Sequence, residues 1–434
     1  MTVPSEPSNP MTARRVARIV TALALFLLAG PIGASVLAQT SLRPSRASLL
    51  EAKRRAKFQE ILPPSRKSVE TGLTRFDQAM LFFGKVQRGW HGVRMAGGDF
   101  PAGAGFNYGV GFTDNAVGAV YEDLDMPNRL DVSFVAATST RSYHQLSGDL
   151  AFRNIGGSIL NFAARGEWHE HPEEDFFGLG ADTSEDDRTS YLERGLEFGG
   201  DLWLEPVRGL RLGGGVAWTD PRIGSGEDPR FPSTDELFDP SAIPGFQAQP
   251  EYVRLGGTVS FDWRDQPLRP RAGGYYGVKV SNFKGQEFDA LDFRQYEADV
   301  QQYIHWLNRF RVLALRANVV ISDADAGKDV PFFYMPTLGG GERLRGFREF
   351  RFRDRNSILM SAEYRWEAWW ALEMALFVDA GKVAAERSDL DFDNLEASYG
   401  LGFRFHSTDA VSLRFDLAFS REGFIPLLRY THVF

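Results

Sequence analysis

From about residue 100 onward the chain alternates apolar and polar residues with period two, over stretches of about ten residues. In 357–367, Ile358, Met360, Ala362, Tyr364 and Trp366 share one face, while Ser357, Ser361, Glu363, Arg365 and Glu367 share the other. Leu413, Phe415, Leu417 and Phe419 likewise oppose Arg414 and Asp416, and Tyr399, Leu401, Phe403 and Phe405 oppose Gly400, Gly402, Arg404 and His406. Residues 252–263 divide the same way, with Val253, Leu255, Val259, Phe261 and Trp263 against Tyr252, Arg254, Thr258 and Asp262. Such alternation is the signature of a strand with two unlike faces. A soluble sandwich alternates too, but its strands usually run about five or six residues. Strands of about ten residues have the length of a tilted membrane crossing. The apolar faces here end in aromatics and the opposite faces carry charges, the pattern of a lipid-facing wall around a wet lumen. Backbone groups in lipid must all be paired, so strands of this kind have to close on themselves. The fold class expected is all-β, a transmembrane antiparallel β-barrel.

Sixteen strands are expected, an even number as a single-chain barrel requires. They fall at 103–112, 115–123, 129–138, 142–153, 156–168, 189–204, 210–219, 251–263, 273–283, 291–306 and 309–322, then at 356–367, 371–382, 395–406, 410–420 and 425–434. Reading 103–123 as one strand would leave fifteen. Connections alternate between short (205–209, 307–308) and long (169–188, 220–250, 323–355), as periplasmic turns and external loops do. That asymmetry puts both termini in the periplasm and the barrel over 101–434.

Upstream, Met11 to Arg15 and Arg18 supply a positive region, Ile19–Ala29 is apolar, and Val36-Leu37-Ala38 ends on a small residue. This order predicts a secretory signal peptide over 1–38, with translation starting at Met1 or Met11. Residues 39–100 form a short periplasmic segment, with helix predicted over Ser45–Glu60 and again over Val69–Gln87. The chain has no cysteine, so an exported fold must be held by its core or by a closed sheet. A net charge of −8, without a basic face, argues against a nucleic-acid partner.

Catalytic motifs are missing: there is no G-x-S-x-G elbow, P-loop or H-E-x-x-H helix. His144, His305 and His406 lie on predicted strands and read as structural. His169-Glu170-His171 with Glu173, Glu174 and Asp175 has metal-ligand residue types, but histidines two apart in a loop are usually solvated polar residues. Neither metal, cofactor nor enzymatic activity is expected.

Leu338–Phe347 reads LGGGERLRGF, and Asp379 lies within FVDAG at 377–381. FDWRDQPLRPRAGGYY spans 261–276, DFFGLGADTSEDDRTSY spans 175–191, and the chain ends on Phe434. Together these segments resemble the BamA/TamA-type outer-membrane assembly superfamily, the bacterial surface antigen family. The resemblance implies that the sixth external loop, 323–355, folds back into the barrel. It also implies that Arg345, Gly346 and Phe347 form a loop tip lying against Asp379 on the thirteenth strand. Glu363, Arg365 and Glu373 share the lumen phase and are candidate members of the same network. Phe434 matches the terminal aromatic by which the barrel assembly machinery recognises its clients, so that machinery is an expected partner; His432 departs from the usual apolar residue. Typical members carry periplasmic POTRA domains, whereas 39–100 has room for no more than a fragment and looks like the lead-in of barrel-only members. The function implied is insertion or translocation of polypeptides, or lipids, with a weakly closed seam between the first and last strands (Gly103–Phe112 and Ile425–Phe434). Outer-membrane lipid, lipopolysaccharide and unfolded protein clients are the further partners. Two alternatives stand beside it: a passive or gated pore for small solutes, and a surface antigen without transport.

Overall fold

A computed structural model describes residues 93–96, 100–101, 103–115, 129–306, 310–369, 371–406 and 411–429. The expected signal peptide, both expected helices and Phe434 lie outside the described residues. Sixteen strands form one antiparallel sheet in which every strand pairs with its neighbour in sequence. In order these are β1 (Val93–Ala96), β2 (Asn107–Asn115), β3 (Arg129–Ser139), β4 (His144–Arg153), β5 (Leu160–Phe176), β6 (Thr189–Val207), β7 (Leu210–Ser225), β8 (Tyr252–Asp262), β9 (Gly273–Gly285), β10 (Phe293–Trp306) and β11 (Arg311–Asp323). Two short strands, β12 (Thr337–Leu338) and β13 (Phe352–Arg353), pair only with each other. The sheet resumes with β14 (Asn356–Trp369), β15 (Leu372–Ala384), β16 (Glu396–His406), β17 (Val411–Ser420) and β18 (Gly423–Arg429).

The alternation read from the sequence sorts as a membrane barrel demands. Tyr399 is 61% exposed and Leu376 52% exposed on the outer wall, whereas Asp379 and Glu363 are wholly buried on the inner one. Outer positions are filled by residues such as Phe134, Leu150, Phe198, Leu255, Val259 and Leu428, whose apolar surface faces lipid at no desolvation cost.

One expectation is corrected at the amino-terminal edge. Residues 103–112 and 115–123 were expected to be the first two strands. Among the described residues the strand there is β2, Asn107–Asn115, and the first strand of the sheet is Val93–Ala96 upstream; residues 116–123 of the second expected strand lie outside the described residues. Gly103 and Gly105 are not in a strand at all. They have φ of 108° and 84°, a left-handed backbone that ends the extended run before Asn107.

β5, β6 and β7, with 17, 19 and 16 residues, are longer than a crossing needs. Their ends carry a roof made from the long connections on one side of the sheet. Phe176, Tyr191, Tyr252, Phe283, Phe293, Phe332 and their neighbours form the largest apolar cluster among the described residues. Phe283 and Phe293 stack at 4.4 Å, and Phe332 meets Phe176 and Tyr191 edge-on at 5.5 and 5.1 Å. Aromatic packing of this kind adds to the area buried.

Candidate functional site: a loop tip in the lumen

The connection between β11 and β14 is the sixth on its side of the sheet, and it folds into the lumen. After Phe332–Tyr334 and the β12–β13 pair, its tip descends along the inner face of β14 to β17. The register stacks that face in rows: Ser361, Asp379 and Ser398; then Glu363, Phe377, Gly400 and Ala418; then Arg365, Ala375, Gly402 and Asp416; then Glu367, Glu373, Arg404 and Arg414. Small residues in the middle rows open a notch. A Cβ at Gly400 would lie 2.5 Å from the Phe377 ring, and one at Gly402 would collide with Arg404 and Asp416.

Arg345 fills the notch. Its Nε donates to Asp379 Oδ2 at 2.7 Å, its Nη2 to Asp379 Oδ1 at 2.6 Å, and its Nη1 to Glu363 Oε1. The guanidinium also lies 3.6 Å from the centroid of Phe377. Asp379 further accepts from the Arg345 backbone N–H at 3.3 Å and from Ser398 Oγ at 3.4 Å. A planar fork on a carboxylate gives direction as well as charge pairing, which an ammonium would not supply. Gly346 then passes so close to the wall that its carbonyl accepts from Ser420 Oγ at 2.6 Å. Phe347 turns the other way and is fully buried with Leu338, Leu344, Phe352, Leu359 and Val383.

Glu363 is the hub of the inner network, accepting also from Arg365 Nε at 2.6 Å and Arg404 Nη2 at 2.7 Å. Arg404 and Arg414 flank Asp416 at 3.5 and 3.0 Å, and Arg414 reaches the carbonyl of Gly341 in the loop. Of the sequence candidates, Arg345, Glu363, Arg365 and Asp379 are thus brought together. Glu373 lies in a different row, 3.7 Å from Arg269 of the β8–β9 turn, which also pairs with Glu367 at 2.9 Å. Sequence reasoning placed Arg404, Arg414 and Asp416 on strand faces but did not assign them to the site. Two-residue spacing marks a face, whereas partnership depends on height across strands.

The loop's upper half is tied to other loops. Arg351 donates to Glu422 Oε1 at 2.8 Å, to Thr183 Oγ1 at 2.7 Å and to the Thr183 carbonyl at 2.6 Å. Burial pushes the Glu422 carboxyl up from its ordinary value, with Arg351 opposing the rise. Arg353 reaches the Phe332 carbonyl and Tyr191 Oη at 2.9 and 3.0 Å. Arg351→Ala is expected to remove three charge-assisted bonds and lower barrel stability by about 2–4 kcal/mol, taking the upper part of the range for such bonds. The check is the urea midpoint of the compact, heat-modifiable form; a midpoint equal to the parent protein would refute it. His169 and His171 face Glu193 and Glu174 at 4.0 and 2.9 Å, and no group of three metal-ligating side chains occurs among the described residues.

Fold and site together define an outer-membrane β-barrel whose sixth loop is held inside its own lumen. The Omp85 superfamily domain model matches residues 177–423, and the chain belongs to that superfamily. Among solved structures it is similar to BamA from Haemophilus ducreyi lacking POTRA domains 1-3, with 14% identity, 76% of this chain and 69% of that chain covered, and a TM-score of 0.54. It also matches CdiB from Escherichia coli, with 11% identity, coverage of 82% and 68%, and a TM-score of 0.49. CdiB from Acinetobacter baumannii matches with 13% identity, coverage of 75% and 54%, and a TM-score of 0.42. None of the curated proteins matches the chain. Membership places the chain in the outer membrane and supports, at the general level, a function of the insertion and secretion type.

Proposed function

We propose that this chain assists the insertion or translocation of polypeptides at the outer membrane, with Arg345, Gly346, Phe347 and Asp379 acting as a latch. The observation that carries the proposal is the loop tip itself: an external arginine buried between Asp379 and Glu363 on the barrel wall. A loop pinned this way braces β14 to β17 from inside. β1 has four residues and β18 has seven, and among the described residues each pairs with one neighbour only. Short terminal strands present an edge to which an incoming strand can add by backbone hydrogen bonds. In this reading both termini are periplasmic, unfolded barrel proteins are the clients, and the chain reaches the membrane as a client of the assembly machinery through Phe434.

The second reading, a solute pore, is favoured by a polar recess in the lumen wall lined by Arg264, Lys279, Glu297 and Asp299. The aromatic roof and the loop tip stand against free passage. To decide, the mature protein would be placed in liposomes and the insertion rate of an unfolded barrel client followed. Insertion faster than in empty liposomes, and slower again with Arg345→Ala, is the expected result. A rate equal to that of empty liposomes would overturn the insertion reading.

A further inference from the structure

We infer that Arg429 is a positioning residue at the seam, a side-chain clasp joining the last strand to the first hairpin and to the latch loop. The inference rests on the insertion reading and specifies how its seam is controlled. Three contacts converge on this one side chain near the end of β18. Its Nη1 donates to the carbonyl of Phe100 at 3.2 Å, within the 97–106 connection between β1 and β2. Its Nη2 donates to Glu349 Oε2 at 2.7 Å, in the sixth loop just beyond the latch tip. The third is a close approach: a Cβ on Gly341 would lie 2.7 Å from Arg429 Nε and 3.4 Å from Arg414 Nη2. The glycine at 341 is what lets the loop pass between the arginines of β17 and β18.

Phe100 is a firm anchor for the other end of the clasp. Its ring is buried against Tyr143 and His171, each at 5.9 Å, within a cluster that includes Ala104 and Ala137. Arg141 holds the same connection by donating to the Gly103 carbonyl at 2.7 Å. The first hairpin is therefore fixed to the barrel by Phe100 and Arg141, and β18 is fixed to the hairpin by Arg429. Among the described residues no backbone ladder joins β1 to β18, so this side chain is the link shown between the two edges. Because Glu349 shares the guanidinium, a shift of the loop tip reaches the seam within a few residues. A guanidinium suits this place: it bonds a neutral carbonyl and a carboxylate at once, in fixed directions.

The test is amide hydrogen exchange on the full protein in lipid nanodiscs, with no client present, so that it reads the seam independently of insertion. Arg429→Ala is expected to speed exchange in β1 and β18 by about ten-fold or more, from the loss of bonds to a charged donor. β5 to β10 should be unchanged, and Arg429→Lys should restore part of the protection. Glu349→Gln, which leaves the arginine and its bond to Phe100, is expected to give a smaller increase at the same strands. Unchanged exchange at β1 and β18 in a folded Arg429→Ala barrel overturns the inference. So does an equal rise in every strand, which marks a general stabiliser. If Arg429→Ala yields no folded barrel, Glu349→Gln decides alone: local acceleration at the seam supports the clasp, and none overturns it. A seam that responds in a protein that fails the liposome assay would remove the insertion reading and leave the clasp.

Discussion

Replacing Arg345 with alanine is expected to release the sixth loop from the lumen, raise single-channel conductance and cost about 3–5 kcal/mol of stability, the range for breaking a buried ion pair. The size follows from what stays behind. Glu363 keeps Arg365 and Arg404, but Asp379 loses its forked partner and retains Ser398 Oγ inside a fully buried site. An uncompensated buried carboxylate costs more than the lost attraction alone suggests. Arg345→Lys should fall between, because an ammonium restores charge without the fork. Conductance in planar bilayers and protease protection of 324–355 are the measurements. If both match the parent protein, the tip does not constrict the lumen and the latch is wrong. A fall in stability with unchanged conductance would keep the ion pair as structural and discard its gating role.

How much of this was readable beforehand follows from the range of each interaction. The strands from Arg129 onward announce themselves through local alternation, and β14 to β17 lie within a residue or two of where the sequence puts them. The first edge fails for a physical reason. β1 is four residues long, too short for alternation to register, while glycines at 103, 105, 109 and 111 suggest an extended run where the chain first turns with positive φ. The Arg345–Asp379 contact was suggested by motif resemblance, since spacing alone offers no reason to pair residues across a loop. Arg404 and Asp416 have the right phase in the sequence, yet their heights, Asp416 in the row of Arg365 and Ala375 and Arg404 one row on beside Glu373, are set by register across the strands. Glu373 shows the converse. It has the lumen phase of the latch residues but stands in the row of Arg404, where a turn arginine, Arg269, lies 3.7 Å from it.

Gly346→Ala tests the same latch without touching a charge. A Cβ at this position would lie 2.6 Å from Ser398 Cβ, 2.8 Å from the Phe419 carbonyl oxygen and 2.9 Å from Ser420 Cβ. Two of these belong to side chains that stop at Oγ and one to a paired strand backbone, so none can swing aside. The tip must retreat, drawing Arg345 away from Asp379 and Phe347 away from Phe352. Overpacking of a tight site costs about 1–3 kcal/mol, and here the retreat also forfeits part of the ion pair. The expected result is loop exposure and conductance close to those of Arg345→Ala. Coupling between the two substitutions gives the sharper reading. If both act by releasing one tip, the double variant should be little worse than the more severe single variant, because contacts already lost cannot be lost again. Strict additivity in the urea midpoint would mean that the arginine and the glycine support the barrel separately, and the single latch would have to be given up. Ser398→Gly in the Gly346→Ala background removes the nearest clash while leaving the Phe419 carbonyl in place, so it should recover protease protection in part. Recovery there, with none from Ser398→Gly alongside Arg345→Ala, would locate the defect at the wall beside Asp379 rather than in the loop's own conformation.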